Sequence, residues 1–412
     1  MVDALMTQAL HRLCRSGLGL LAVLLPLTAT AALARTVRID KPTQAFEPAI
    51  LRLNYTPGKG SSAGQALLDL VLIPVQGDAV GRRLEVPTQD LAAELRKLYI
   101  QLSRQESLDV ANSEAPARQL YRLLITPIEP ELKARGINNL LIAADPGLQA
   151  IPFAALHDGD TYLGLKYGFS VTPSLALTAM APATGQSARK VALGASQFQG
   201  LAPLPLVPQE AATAAENQAA NLYLNQAFTG DRLIAQAGDA SVKRVHIATH
   251  AEFLPGGPDK ARLYTGVGPM SLKQFADLRS LRKQAPLDLI ALSACRTALG
   301  DTNSELGFAG LAIQSGARSA IGTLWYVDDV ATSAYFVLLY RLLDSGWKKS
   351  EALQEVRRAF AQGEVRLQGD AVVLSDGTRL IEKLTPTQQR RVASGLQHPF
   401  FWSGIELLGT PW

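Results

Sequence analysis

The chain has 412 residues, 47% of them hydrophobic and 18% charged, with a formal net charge of +4. That content suits a globular protein with one large or two modest domains and an ample core. No run of Lys or Arg interleaved with aromatics is present, so the mildly basic balance makes no case for nucleic acid as a partner.

The first residues differ in kind from the rest. His11, Arg12 and Arg15 form a basic flank, Gly17 to Thr28 is apolar, and Ala32-Leu33-Ala34 is an A-x-A site. Together they predict a secretory signal peptide over 1–34, cleaved near Ala34, and hence a periplasmic or secreted mature protein. The alternative is an uncleaved anchor, because Ser16 to Ala34 approaches the ~20 residues a membrane helix needs. Pro26 and the Ala/Thr-rich end favour cleavage, so a membrane is a partner only under that alternative. Of the two cysteines, Cys14 leaves with the signal. Cys295 then stands alone in the mature chain, and a lone thiol in an oxidising compartment is either an inert buried filler or a reactive group.

Pro48 to Tyr55 and Leu67 to Val75 read as strands around a Gly/Ser loop. Gly60-Ser-Ser62-Ala-Gly64 in that loop fits G-x-S-x-G, but Pro57, Gly58 and Lys59 intervene where a strand should run straight into a nucleophile elbow. Leu91, Leu95, Leu98 and Leu102 recur at helical spacing, as do Leu120, Leu123 and Leu124. Residues 35–135 are thus expected as a strand and helix region leading into a core over 136–412.

From Gly136 the pattern becomes strand, loop, helix. Asn139 to Ala144, Tyr167 to Val171 and Val191 to Gly194 read as strands, and Gln209 to Leu224 as a helix after Pro208. Arg232 to Ala237 is a helix that leads to the strand Val245-His-Ile-Ala-Thr-His250. Leu254 to Gly268 is rich in Gly and Pro and reads as a loop walling a cleft beside His250. Leu289 to Ser293 is a short buried strand that hands over to Ala294-Cys295. Thr302-Asn-Ser-Glu305 fits a capping box, Ser319 to Trp325 is a strand, and Asp328 or Asp329 caps the helical run Ala331 to Leu343. A helix over Ser350 to Ala361, a polar excursion from Gly363 to Thr385 and a last strand, Trp402 to Leu408, complete the chain. The expected fold is a three-layer α/β/α sandwich on a mostly parallel sheet.

In such sheets chemistry sits beyond the carboxyl ends of the strands. Two neighbouring strands ending on His250 and Cys295 offer an imidazole and a thiol, a candidate base and nucleophile. The imidazole raises the thiolate fraction and can later protonate a leaving amine. Backbone amides of Cys295 and of Ala251 are the natural donors to a developing oxyanion, each worth roughly 3 kcal/mol. His246, inside the same strand, reads as a core histidine. No metal, nucleotide or dinucleotide motif is found, so no cofactor is expected.

Four stretches resemble one family: Val245 to His250; Asp288-Leu-Ile-Ala-Leu-Ser-Ala-Cys295-Arg-Thr-Ala-Leu-Gly300; Ser315-Gly-Ala-Arg-Ser-Ala-Ile-Gly-Thr-Leu-Trp-Tyr-Val-Asp328; and His398-Pro-Phe-Phe-Trp402. They are similar to the CHAT domain, a family related to caspases and separases, and the resemblance runs from about residue 65 to the end. It implies a caspase-like cysteine endopeptidase in which His250 is general base and acid and Cys295 forms a thioacyl intermediate. It implies a peptide or protein substrate and leaves room for an activating protein partner. The chain carries Ala251 where the family usually has glycine, which keeps the amide but not the freedom of positive φ. Arg262, Arg296, Asp328 and Asp329 are candidates for the first substrate pocket, against the plainer reading of helix cap and surface charge. Two other functions stay open: a CHAT-like binding or scaffold module without turnover, and a thiol hydrolase or acyl transferase acting on a small ester or amide.

Overall fold

The computed structural model describes residues 45–412 except 60–63, 173, 181–188, 254–260, 272–277, 283–284, 295–309, 311 and 314. The expected signal peptide with Ala34, the Ser61-Ser62 turn, Cys295, Arg296 and the Thr302–Glu305 capping box lie outside the described residues.

Strand β1 (Pro48–Pro57) and strand β2 (Gln65–Pro74) alternate inward and outward residues, with Leu51 and Leu53 paired to Leu72 and Leu70 in antiparallel register. Period-two burial of this kind sets the register, because a one-residue slip would turn every leucine outward. β3 (Val80–Pro87) adds an antiparallel edge. Its exposed Arg82 and Arg83 suit an edge that must not recruit another chain. The helix Thr88–Ser103 buries Leu91, Leu98 and Leu102 on one face, and Pro116–Leu124 buries Leu120, Tyr121 and Leu124.

The central strands are buried on both faces and so read as continuous apolar runs. They are β4 (Asn139–Ala144), β5 (Gly168–Thr172), β6 (Arg189–Gly194) and β8 (Val242–Ala248), while β7 (Leu222–Leu224) is a partly buried edge strand. β9 (Ala251–Phe253), β10 (Ala261–Thr265) and β11 (Gly268–Ser271) form a small separate sheet. β12 (Leu289–Ser293) and β13 (Ser319–Thr323) return to the main sheet. A second small sheet, β14 (Arg366–Gln368), β15 (Ala371–Val373) and β16 (Arg379–Ile381), precedes the last strand, β17 (Ile405–Gly409).

Among the described residues the main sheet has eleven strands in the order β3-β2-β1-β4-β5-β17-β13-β12-β8-β6-β7. It is parallel from β1 through β17 and again from β13 to β7, with antiparallel pairing at β3-β2-β1 and at β17-β13. The crossover from β6 to β7 runs one way along the sheet and that from β7 to β8 runs back. Right-handed crossovers therefore put their helices, Val207–Ala214 and Gly230–Gly238, on opposite faces. The helices Asp329–Asp344 and Lys349–Ala361 join the first, and Leu278–Leu281 joins the second. This is the three-layer α/β/α sandwich, and residues 48–87 belong to the same sheet as the strands that follow.

The closing His398-Pro-Phe-Phe-Trp402 stretch is structural. His398 Nδ1 accepts from Phe400 N at 3.1 Å, and Trp402, fully buried, donates Nε1–H to Gln397 O at 2.9 Å. Gly404 lets Trp325 lie against the backbone, since a Cβ there would sit 2.4 Å from its ring.

Three local expectations change. The helix expected over Gln209–Leu224 stops at Ala214, because Glu216 and Asn217 take positive φ (53° and 57°), and β7 follows. The expected loop Leu254–Gly268 contains β10, where Ala261, Leu263 and Thr265 turn inward in period two. The polar excursion after Gly363 holds β14, β15 and β16, with Val372 and Ile381 in the core.

Candidate active site

The apolar run of β8 carries the chain to His250 and then turns it away. Thr249 N donates to Ser293 O at 3.3 Å, and Thr249 Oγ1 donates to Tyr264 O. Tyr264 N donates to His250 O at 3.0 Å, so the backbone on each side of the histidine is fixed to a neighbouring strand. The imidazole is half-buried, with the Phe198 ring 4.7 Å from it. Its Nε2 lies 2.8 Å from Ala202 O. A carbonyl oxygen can only accept, so Nε2 carries the hydrogen and, in the neutral ring, Nδ1 keeps the lone pair. The segment that supplies Ala202 is itself pinned: Leu204 N donates to Ser196 O at 3.0 Å, and Ser196 N donates to Asn225 Oδ1 at 2.9 Å.

β12 lies beside β8 with Ser293 paired to Ala248. His250 and Cys295 each follow these partners by two residues in sequence. Ala294 O accepts from Thr323 Oγ1 at 2.6 Å, which ties the end of β12 to β13. The ends of β6, β8, β12 and β13 thus open on one side of the sheet, as expected for an α/β crevice.

A cavity of about 260 Å³ lies there, lined among others by Leu204, Thr249, His250, Ala294, Val327 and Asp328. Asp328 is the N-cap of Asp329–Asp344, its carboxylate accepting from Val330 N and Ala331 N at 2.9 and 3.1 Å. Burial pushes its carboxyl above the usual range, and the Arg391 guanidinium opposes that shift. Arg391 Nε lies 3.0 Å from Asp328 Oδ2, and Arg391 Nη2 pairs with Asp329 Oδ1.

Glu210 lines the cavity's inner end and is 1% exposed. Its Oε2 accepts from Ser333 Oγ at 2.7 Å, and its Oε1 lies 2.9 Å from His246 Nε2, an ion-pair distance without the angle of a hydrogen bond. The Tyr340 hydroxyl and His246 Nδ1 share a hydrogen bond of 2.7 Å, and burial pushes the phenol well above its usual range. His246 is a fully enclosed core residue, hydrogen-bonded through Nδ1 and facing the Glu210 carboxylate through Nε2.

Of the residues singled out from sequence, His250, Asp328 and Asp329 line one cavity. Ala251 begins β9, pairs with Leu263 and takes no positive φ. Arg262 is exposed on β10 opposite Glu252 and does not line that cavity. Cys295 and Arg296 lie outside the described residues. Glu210 and Arg391 escaped sequence reasoning, because each looks like an ordinary charge on an amphipathic helix and only tertiary packing brings it here. Among the described residues no group of three or more His, Cys, Asp and Glu side chains is placed to hold a metal ion.

The model of the CHAT domain matches residues 114–410, well over half of the chain. No curated protein matches the sequence. Among solved structures, the separase–securin complex of Saccharomyces cerevisiae at 2.6 Å resolution matches with a TM-score of 0.50 at 9% identity, over 88% of this chain and 30% of that chain. Gingipain R of Porphyromonas gingivalis, an Arg-specific cysteine proteinase, matches with a TM-score of 0.38 at 10% identity, over 78% of this chain and 74% of that chain. The chain therefore spans under a third of the separase chain, and at 9% identity that likeness shows the fold alone, a caspase-like one.

Proposed function

This chain belongs to the CHAT domain family, and from that premise we propose that it is an exported cysteine endopeptidase working through a dyad of His250 and Cys295. A cysteine peptidase is the reading that family and caspase-like fold support. The observation that carries the dyad is the hydrogen bond from His250 Nε2 to Ala202 O, at 2.8 Å. It leaves Nδ1 as the basic nitrogen, on a residue just beyond the end of β8, whose partner β12 leads by matching sequence distance to Cys295.

In this mechanism His250 Nδ1 takes the thiol proton, and the thiolate adds to the scissile carbonyl carbon. The oxyanion is met by the amides of Ala251 and Cys295, an interaction worth roughly 3 kcal/mol per donor. The imidazolium then gives its proton to the leaving amine as the C–N bond breaks. A water, deprotonated by the same nitrogen, attacks the thioester, releases the acid product and restores the thiol. The cavity bounded by His250, Asp328 and Asp329 receives the side chain that precedes the scissile bond.

The substrate is a peptide or protein. An activating or restraining protein partner is part of the proposal, by analogy with separase, solved with securin, and with gingipain, solved with its pro-domain. Export places the enzyme in the periplasm or outside the cell after cleavage near Ala34. The test is incubation of the mature chain with a peptide library and mass-spectrometric detection of cleavage. Cleavage that Cys295→Ala and His250→Ala both abolish supports the reading; cleavage that survives Cys295→Ala removes it.

A further inference from the structure

Two carboxylates at the mouth of a cavity suggest a site for a cation, yet here a cation is already built in. Asp328 Oδ1 is committed to the backbone of its own helix, accepting from Val330 N and Ala331 N at 2.9 and 3.1 Å. Its Oδ2 faces Arg391 Nε at 3.0 Å. Asp329 Oδ1 pairs with Arg391 Nη2, and Asp329 Oδ2 accepts from Gln388 Nε2 at 3.4 Å. All four carboxylate oxygens have partners, and one planar guanidinium bridges both acids, a geometry that lysine could not reproduce.

Arg391 reaches the cavity from the helix Pro386–Val392, across 62 residues of sequence from Asp329. That helix is fixed by a capping box in which Thr385 accepts from Gln388 N while the Gln388 side chain accepts from Thr385 N. The same Gln388 side chain touches Asp329, so cap and ion pair hold the guanidinium in place together. The rest of the wall is apolar at Ala202, Pro203, Leu204, Leu206, Val207 and Val327, with Thr249, Ser293, Thr332, Ser333 and the buried Glu210 adding polar groups.

We propose that Arg391 sets the charge preference of this cavity: by holding Asp328 and Asp329 it makes the site one for an uncharged side chain, and its removal converts the site to one for a basic side chain. The proposal rests on the reading of the cavity as the substrate's side-chain site. A lysine or arginine entering the intact cavity meets the like charge of Arg391; the oxygens of Asp328 and Asp329 are already paired, and Glu210, the third carboxylate of the lining, is 1% exposed and faces His246. An aliphatic or aromatic side chain meets apolar wall instead. The opposite selectivity lies one side chain away, which makes Arg391 a specificity-determining residue outside the dyad.

The test is binding of benzamidine, a small amidinium, to the full mature chain at low ionic strength, measured by calorimetry. Arg391→Gln is expected to bind benzamidine at least tenfold more tightly than the parent. Adding Asp328→Asn and Asp329→Asn to it removes the gain, with asparagine preserving the helix cap. Arg391→Lys, which keeps a charge and loses the fork, falls between parent and Arg391→Gln and guards against an effect of altered folding. Equal binding by parent and Arg391→Gln overturns the proposal, as does absence of binding by Arg391→Gln. This readout is separate from the thiol: a benzamidine switch with an inert Cys295 sinks the peptidase reading alone, and a reactive Cys295 without the switch sinks this inference alone.

Discussion

His250 Nε2 donates to Ala202 O across 2.8 Å, and this one bond decides which ring nitrogen of the neutral imidazole keeps its lone pair. A carbonyl partner selects the Nε2–H tautomer in any neutral imidazole. Long-range proton–nitrogen correlation spectra of the mature protein should therefore show His250 with Nε2 protonated and Nδ1 bare. The reverse tautomer would mean that the Ala202 contact does not persist in solution.

The buried Glu210 carboxylate joins His246 and Ser333 behind the cavity. Glu210→Ala leaves a buried imidazole and hydroxyl without their partner, a change that costs about 3 kcal/mol. Urea unfolding of parent and variant measures it directly. A loss below about 1 kcal/mol would show that the network contributes little.

At Asp328 the helix cap and the ion pair can be separated. Asp328→Ala removes the cap and should cost about 1 to 2 kcal/mol, whereas asparagine caps nearly as well, so Asp328→Asn should cost under about 1 kcal/mol. The difference isolates the cap, because the pair with the partly exposed Arg391 adds only about 0 to 1 kcal/mol. Equal losses in the two variants would assign the effect to the charge instead.

Glu406 on β17 gives the fold a pH dependence of known sign. Burial pushes its carboxyl up from the usual 4.5 to about 8, with Arg357 pulling the other way. The unfolded chain gives up this proton near the usual value and the folded chain keeps it until about 8. The folded state thus holds the extra proton within that window, and stability falls as pH rises through it, by at most about 1.4 kcal/mol per unit. Glu406→Gln should flatten that fall when urea midpoints are compared at acid, neutral and alkaline pH. A variant whose midpoints decline as steeply as the parent's would place the dependence elsewhere.

What sequence could reveal here follows from whether the cause was local. His250 was legible because a short buried strand ran straight into it, and Asp328 because a carboxylate before a long apolar helix is a cap. β10 was concealed by the Gly/Pro-rich approach to it, although Ala261, Leu263 and Thr265 already alternate. β3 went unseen because an edge strand can be polar on both faces, as Gly81-Arg82-Arg83 is. The insertion of β17 between β5, its parallel neighbour, and β13, its antiparallel one, and the reach of Arg391 to two aspartates, depend on packing between distant segments and leave no local mark.

The central claim is that His250 activates Cys295, and the pH dependence of Cys295 alkylation by iodoacetamide tests it most directly. With Cys14 replaced by alanine, the label reports one thiol. The account predicts an apparent pKa well below the ordinary thiol value of about 8.5, with the shift lost in His250→Ala. A thiol that titrates normally, or one that behaves the same with and without His250, would contradict it.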